Sequence, residues 1–344
     1  SSDGAVFTGQ KHFWDSDQTV HRAPVWMASV KMASQRVIGT ELVNEDNLKG
    51  FYMGDGATYI YRHGDEYLNV FPFWDWRKIP GITSYESDAL VPSPRSYGAH
   101  TRNESSFVGG VTDGHTGMTA MVLNRDGVHA RKAWIMTDDY VLCLGAGIKT
   151  DSTLNLTTSI DQRKKRGELF YLENNRWNTV NGTFTATGKA LRFYHDSTGY
   201  ILMQPSNSVS ISEKRSGSWS DFMGSYTPQI VEGEVVSLYI RHPKESPASY
   251  QYLILPAVSA DRTASFCTDD IRVLSNDENM QAVGIDNCFY ITAYQAGNIR
   301  LADDMLLEIQ TPGIYMLSVE NGAIRIEASD PTHMQTSLSL KIND

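Results

Sequence analysis

A polar segment in the first part of the chain places a carboxylate and an amide three residues apart. Glu41 and Asn44 lie in the middle of residues 34–61, a stretch that begins and ends like a β-strand. A carboxylate can accept two N–H bonds from a guanidinium and so fix its plane, and an amide can both donate and accept. Two interpretations are open at this point: a solvated loop between two strands, or a loop that carries functional side chains.

A second candidate is the run of cations in residues 161–168, which read Asp-Gln-Arg-Lys-Lys-Arg-Gly-Glu. Four positive charges in so short a segment could hold a carboxylate or a sulfate group by charge-assisted hydrogen bonds. Runs of charge are more often exposed to solvent, and we therefore expect the solvated tip of a β-hairpin.

The elements that must position these residues are strands. Residues 132–148 form an apolar run, a turn at 137–139 and a second apolar run, which is typical of a β-hairpin. Residues 324–329 and 337–342 alternate apolar and polar side chains, which predicts that one face of each strand is buried. The side chains on these predicted faces are Ile324, Ile326 and Ala328, and Leu338, Leu340 and Ile342. No long amphipathic helix is evident, so the predicted class is all-β.

Length and charge limit the organisation and the partners. A chain of 344 residues exceeds the size at which a single core usually stops growing, so we expect two domains. The polar stretch after the apolar residues 250–258 places the boundary between residues 1–262 and 263–344. A net charge of −10 argues against nucleic acid or an anionic membrane surface as a partner.

The cysteines and histidines do not suggest a zinc site. Cys143, Cys267 and Cys288 are too few for a disulfide framework and lack paired spacing, so we expect small core residues with at most one bridge. The nine histidines show no ligand spacing. No apolar run reaches the length of a membrane span, and the first residues lack the features of a leader. We expect a soluble chain from which any export signal has been removed.

Eight segments form an ordered set of landmarks along the chain: residues 47–61, 71–84, 107–114, 132–148, 195–200, 250–256, 279–283 and 328–332. Together they resemble polysaccharide lyase family 8, which contains chondroitin AC and ABC lyases, hyaluronate lyases and xanthan lyases. The similarity covers essentially the whole chain and is greatest to the chondroitin lyases. It implies a large antiparallel super-sandwich of the galactose-mutarotase type, then a smaller C-terminal β-sandwich, without the family's N-terminal α/α toroid.

The resemblance also implies a reaction. Family members eliminate across the bond next to a uronic acid, with Asn, Tyr, His and Arg residues that lie on the toroid. We therefore expect the non-toroid part of a secreted or periplasmic bacterial lyase of the chondroitin or hyaluronan type, inactive without the toroid. Its expected partners are an acidic polysaccharide and the missing toroid. Glu41 matches the family's accessory acid, which orients the catalytic Arg, and Asn44 matches a substrate-binding Asn.

A third set of candidate residues, in the segment 74–87, concerns calcium. Some chondroitin lyases bind calcium beside the segment that resembles residues 74–87, and Asp75 and Glu86 could supply two carboxylates. Arg77, however, stands where the calcium-binding members have a third acid, and its charge would repel the ion. We expect an internal Arg77 salt bridge in place of the cation, and no cofactor.

Two alternatives remain open. A stand-alone carbohydrate-binding or structural β-module would contain the same strands without catalysis. An enzyme resembling the aldose mutarotases would use a His as acid and a Glu as base, which requires a histidine close to Glu41.

Overall fold

Antiparallel strands make up nearly all of the regular structure in the computed structural model, which describes residues 7–93, 101–244 and 247–343. The one α-helix among these residues, α1, spans Ala260–Ser265, and short 3-10 helices span Gly50–Tyr52, Phe71–Phe73 and Trp219–Asp221. The strands in chain order are β1 Gly9–Phe13, β2 Gln18–Arg22, β3 Met27–Met32, β4 Asp55–Tyr61, β5 Thr83–Tyr85, β6 Val108–Thr112, β7 Gly117–Arg125, β8 Val128–Met136, β9 Val141–Thr150, β10 Leu156–Lys164, β11 Phe170–Glu173, β12 Arg176–Thr179, β13 Gly182–Gly188, β14 Leu191–His195, β15 Thr198–Leu202, β16 Ser206–Ser218, β17 Ile230–Arg241, β18 Ala248–Pro256, β19 Ile271–Asn276, β20 Met280–Ile285, β21 Cys288–Ala293, β22 Gly297–Ala302, β23 Met305–Ile309, β24 Gly313–Glu320, β25 Ala323–Ser329 and β26 Leu340–Asn343.

A nine-stranded sheet in the order β12-β11-β14-β15-β18-β9-β8-β7-β6 lies at the centre of the fold. One of its faces packs on two smaller sheets, β1-β2-β3-β4 and β13-β16-β17-β10-β5. Its other face packs on the sheet β19-β20-β21-β24-β25, whose far side is covered by β22-β23-β26. This is the predicted super-sandwich followed by a C-terminal β-sandwich.

Strand β8 shows why the central sheet has continuous apolar runs. Trp134 and Met136 belong to the core shared with the two smaller sheets, whereas Ala133 and Ile135 belong to the core shared with the C-terminal sandwich. Alternate residues of a strand point to opposite faces, so a strand that is covered on both sides needs apolar side chains at every position. The hairpin predicted at 132–148 is confirmed, since Met136 pairs with Val141 around the turn.

Helix α1 separates, along the chain, the strands of the super-sandwich from those of the C-terminal sandwich. Its N-cap is Ser259, whose hydroxyl accepts the N–H of Arg262 at 3.1 Å. The boundary predicted between residues 262 and 263 falls inside this helix. The strands before α1 form the three sheets of the super-sandwich, and those after it form the two C-terminal sheets.

The buried face predicted for β25 is wrong. Ile324 and Ile326 are 37% and 40% exposed, and Ala328 is exposed. The strand lies at the edge of its sheet, and none of its side chains belongs to the core between the two C-terminal sheets. In the second alternating segment, by contrast, the predicted face does pack on that core; these half-buried side chains are Leu338, Leu340 and Ile342.

The cysteines are all free. Cys143 is buried in the core of the super-sandwich and half-buried Cys288 packs against the core of the next layer, so the expectation of three core cysteines is wrong only for Cys267, which is exposed. Over the ranges that the structure describes, no helix is long and apolar enough to cross a membrane.

Candidate functional site

Glu41 and Asn44 are exposed on a long irregular loop, residues 33–49, which runs from the end of β3 to the first 3-10 helix. Asn44 and Glu45 have positive φ angles of 53° and 63°, and the N–H of Asp46 bonds to the carbonyl of Val43 at 2.9 Å. This is a tight turn of the kind in which Asn tolerates left-handed geometry. The backbone alone therefore accounts for an Asn at position 44.

The backbone on both sides of the Glu41 side chain is held in place. The hydroxyl of Thr101 donates to the carbonyl of Thr40 at 2.6 Å and accepts the N–H of Thr40 at 3.1 Å. The amide of Asn47 donates to the carbonyl of Glu41 at 3.0 Å and also to the hydroxyl of Thr40. The start of the Glu41 side chain is thus fixed before any ligand arrives.

The far end of the loop rests on the segment after β16. The N–H of Leu48 donates to the carbonyl of Phe222 at 2.8 Å, and the N–H of Gly224 donates to the carbonyl of Glu45 at 2.9 Å. A Cβ at position 224 would lie 2.9 Å from the Cβ of Glu45, which moves only with the loop backbone, so the close approach favours glycine. The loop is therefore anchored at both ends.

The Glu41 carboxylate makes no hydrogen bond and no ion pair with any residue in the part of the chain that the structure describes. An exposed carboxylate on a fixed backbone is available to a cation from outside these residues. No histidine within the described ranges forms a hydrogen bond or an ion pair with Glu41, so nothing there supports the mutarotase alternative.

An open groove of about 620 Å³ lies beside the loop, between Lys49 and the hairpin of β16 and β17. The cations of the hairpin already have partners: Lys214 lies 2.5 Å from Glu232, and Arg215 lies 2.6 Å from Glu213. The groove therefore has little net charge to offer to a polyanion.

Asp75 and Glu86 each lie beside a cation of the protein. Arg241 contacts Glu86 through two nitrogens, with both Nε and Nη2 at 2.8 Å from Oε1. Lys78 is buried with its ammonium 4.8 Å from the centre of the Tyr239 ring. Burial lowers the pKa of Lys78, and the carboxylates of Asp75 and Glu86 oppose this lowering. Both acids thus act on the same buried ammonium.

The Arg77 salt bridge that we expected is not formed among the described residues. The guanidinium instead donates to the hydroxyl of Tyr52 at 3.0 Å and to the carbonyls of Ala89 and Leu90, with the shortest contact at 3.2 Å to Leu90. The Tyr52 hydroxyl donates in turn to the Asp126 carboxylate at 2.8 Å. A phenol therefore links this cation to an acid that is distant in sequence.

The residues present do not fit a calcium ion at Asp75 and Glu86. Calcium takes six to eight oxygen ligands, several of them carboxylates. Here Arg241 and Lys78 supply positive charge to the two acids. Within the described ranges there is also no group of three or more His, Cys, Asp or Glu side chains that could hold a metal ion.

The charged segment 161–168 is only partly the solvated tip that we expected, because Lys164 and residues 166–168 are exposed but residues 161–163 are buried. Its first four residues continue β10, and Asp161, Gln162 and Arg163 are buried. Arg163 Nη2 lies 2.5 Å from the Asp161 carboxylate, to which the hydroxyls of Tyr67 and Tyr200 donate at 3.1 and 2.6 Å. Because the charges of Asp161 and Arg163 are paired and hydrogen-bonded, this first part of the segment can be buried in the core.

The residues that hold Glu41 in place were not identified from the sequence. Asn47 belongs to the segment 47–61, whose resemblance to the family was the one available signal. Thr101 is sixty positions away from Glu41 and gives no signal of its own. The structure brings them together through the hydrogen bonds of the loop.

Comparison with known proteins assigns the family. A model of the super-sandwich domain of polysaccharide lyase family 8 matches residues 8–267. A model of the C-terminal beta-sandwich domain of the same family matches residues 272–339. The chain belongs to polysaccharide lyase family 8. The resemblance seen in the ordered segments is therefore confirmed.

Individual family members show the extent of the match. The chain is 32% identical over 355 residues to chondroitinase-AC from Pedobacter heparinus, which covers 100% of this chain and 50% of the relative. It is 29% identical over 331 residues to a hyaluronate lyase from Thermasporomyces composti, with coverage of 92% and 41%. A solved chondroitinase AC lyase matches with a TM-score of 0.92 and 30% identity, over 97% of this chain and 50% of that one. The chain thus spans about half the length of the curated relatives that it matches.

Proposed function

We propose that the chain is the β-domain part of a lyase that cleaves a uronic-acid polysaccharide of the chondroitin or hyaluronan type by β-elimination. Family membership and the names of the two relatives, a chondroitinase and a hyaluronate lyase, support this substrate class. The observation that carries the role of the site is Glu41, an exposed carboxylate on a fixed backbone without a partner among the described residues.

The chemistry explains what such an acid contributes. The proton at C5 of a uronate is weakly acidic until its carboxylate charge is offset and a base lies within hydrogen-bond reach. In our proposal, a toroid outside this sequence supplies the base and the cations. Glu41 accepts N–H bonds from a guanidinium of that toroid and fixes its plane. Asn44 binds the polysaccharide, and no cofactor takes part.

The substrate also suggests a location. A polymer of this kind cannot enter a cell intact, so we propose that the enzyme is secreted or periplasmic. The groove beside Lys49 could support the alternative, a carbohydrate-binding module without catalysis. Its paired hairpin cations make it the weaker candidate for an acidic polysaccharide.

The test measures the ultraviolet absorbance of the unsaturated uronate product. The isolated chain should release none from chondroitin or hyaluronan, because it lacks the proposed proton-transfer groups. In the complete enzyme, Glu41→Gln should lower kcat by about 10² with a smaller change in KM, because an amide accepts fewer N–H bonds. Glu45→Gln is the matched control, since Glu45 is an exposed acid of the same turn.

Two results would contradict the proposal. Product release by the purified isolated chain would show that a complete acid and base lie within the sandwiches. Full activity of the complete Glu41→Gln enzyme would show that Glu41 is only a solvated loop residue.

A further inference from the structure

Arg36, near the start of the Glu41 loop, is in contact with a turn close to the C-terminus. Its guanidinium donates four hydrogen bonds to backbone carbonyls, and it lies 3.9 Å from the buried carboxylate of Asp17. A planar guanidinium can hold several carbonyls in a fixed geometry, which the single ammonium of Lys cannot do. The accepting carbonyls are those of Ser106 (Nη1, 2.8 Å), Thr332 (Nη1, 3.3 Å), Pro331 (Nη2, 3.1 Å) and Val108 (Nη2, 3.2 Å).

Two of these carbonyls belong to residues 330–335, a turn that Asp330 organises. One carboxylate oxygen of Asp330 accepts the N–H and the hydroxyl of Thr332, at 2.8 and 2.6 Å. The other accepts the N–H groups of Met334 and Gln335, at 2.8 and 2.7 Å. Asp330, Pro331 and Thr332 lie in one of the segments that resemble the family, but the proposed site gives them no role.

The turn lies directly on β6. The N–H of Val108 donates to the carbonyl of Pro331 at 3.3 Å. A Cβ at Gly109 would lie 2.9 Å from the ring of Pro331, so the two backbones are in close contact. The turn therefore cannot move far without moving β6 or losing these contacts.

A short hydrogen-bonded segment connects Arg36 to the backbone of the site acid. The hydroxyl of Ser34 accepts the N–H groups of Arg36 and Val37, each at 3.1 Å, which folds the chain into a tight turn. Three residues after Arg36, the N–H of Gly39 donates to the carbonyl of Thr101 at 3.2 Å. The loop thus lies along residues 101–108, with Arg36 at one end of this contact and the Thr101 bonds at the other.

We propose that the turn 330–335 of the C-terminal sandwich positions the Glu41 loop through Arg36, which makes Arg36 a positioning residue of the lyase site. The importance of this positioning for turnover rests on the proposed function of Glu41. Loss of the guanidinium would leave up to four carbonyls without this donor. Because the bonds to Thr101 remain, the expected result is a looser loop and not an unfolded chain.

The first experiment measures amide hydrogen exchange in the isolated 344-residue chain. Arg36→Lys keeps the positive charge near Asp17 but cannot hold all four carbonyls. Asp330→Ala removes the organiser of the turn without touching the loop. Each variant should speed exchange in residues 34–48 by about tenfold, with β20 and β21 unchanged. Arg325→Lys, an exposed cation that pairs with Glu327 on β25, is the matched control and should change neither region.

The second experiment measures turnover in the complete enzyme. Arg36→Lys and Asp330→Ala should each lower kcat by about tenfold with a smaller change in KM, because they disturb the placement of Glu41 and not the polysaccharide contacts. The double variant should be little worse than either single variant, since both break one connection. Two independent losses would instead multiply.

The outcomes separate this inference from the proposed function. Unchanged exchange of residues 34–48 in both variants would overturn the inference, and so would a double variant whose turnover loss is the product of the two single losses. Faster exchange with wild-type turnover would keep the positioning by the turn and contradict the proposed role of Glu41.

Discussion

The Glu41 loop and the Asp161–Arg163 segment of β10 both combine acidic residues with other polar groups, but the first is exposed and the second is buried. Glu41 is exposed and has no partner within the described ranges. Asp161 and Arg163 are buried, and two tyrosine hydroxyls complete the bonding of the carboxylate. The presence of charged residues in a sequence therefore does not show what those residues do. Burial and pairing decide whether a charged residue stabilises the fold or acts on something outside it.

The largest expected effect tests the buried region. Asp161→Ala should lower the free energy of unfolding by about 3–5 kcal/mol, because it leaves the Arg163 charge buried and unpaired. Urea denaturation of the isolated chain measures this loss. The double variant Asp161→Leu with Arg163→Met is the control, and it should be markedly less destabilised because no lone charge remains. A loss below about 1 kcal/mol in Asp161→Ala would mean that the pair is not a structural unit.

The second-largest effect is expected from acid, which should lower the free energy of unfolding through a buried histidine. Burial, with the nearby positive charge of Arg163, lowers the pKa of His195 to about 3, and its Nε2 accepts the N–H of Arg166 at 3.1 Å. The folded state therefore keeps His195 neutral, while the unfolded chain binds a proton below its ordinary pKa of about 6.5. Stability should fall as the pH decreases from about 6.5 towards 4, by up to about 1.4 kcal/mol per pH unit for this group.

The measurement is the urea midpoint at pH 7, 6 and 5, compared with that of His195→Gln. An amide can still accept the N–H of Arg166 but does not titrate, so the variant should lose less stability on acidification. Equal pH slopes for the variant and the wild type would show that His195 does not contribute. His12 and His242, whose pKa values burial also lowers, contribute to the slope of both proteins.

Calcium should have only a small effect on the melting temperature. Lys78 and Arg241 already supply positive charge to Asp75 and Glu86, so we expect the melting temperatures in chelator and in millimolar calcium to agree within about 1 °C. Sodium chloride at matched ionic strength controls for screening. A rise of several degrees that is specific to calcium would reveal a site that the arrangement of these acids does not suggest.

The smallest effect is expected at the exposed region. Glu41→Gln should change the free energy of unfolding by no more than about 0.5 kcal/mol, since the carboxylate has no partner among the described residues. Urea denaturation under the conditions used for Asp161→Ala provides the direct comparison. A loss of 2 kcal/mol or more would show that Glu41 has a structural partner and would remove the contrast between the two regions.

Local sequence patterns were sufficient to predict the elements whose contacts are between residues close together in the chain. The hairpin of β8 and β9 followed from two apolar runs and a short turn, because a turn of that length forces the two strands to pair. The all-β class followed from the alternation and the turn residues along the chain. Both open interpretations placed Glu41 and Asn44 on a loop, and the positive φ of Asn44 accounts for its residue type without a ligand.

The sequence by itself thus determined the strands, the family and the candidate acid, since each depends on residues close together in the chain or on ordered segments. Only the tertiary structure decided which side chains are covered. Ile324 and Ile326 alternate as a buried face should, but neither side chain belongs to the core between the two C-terminal sheets. Arg163 lies in a run of charges, but Tyr67, almost a hundred positions earlier, contacts it at 3.3 Å. Burial and pairing depend on such distant neighbours, and no local pattern specifies them.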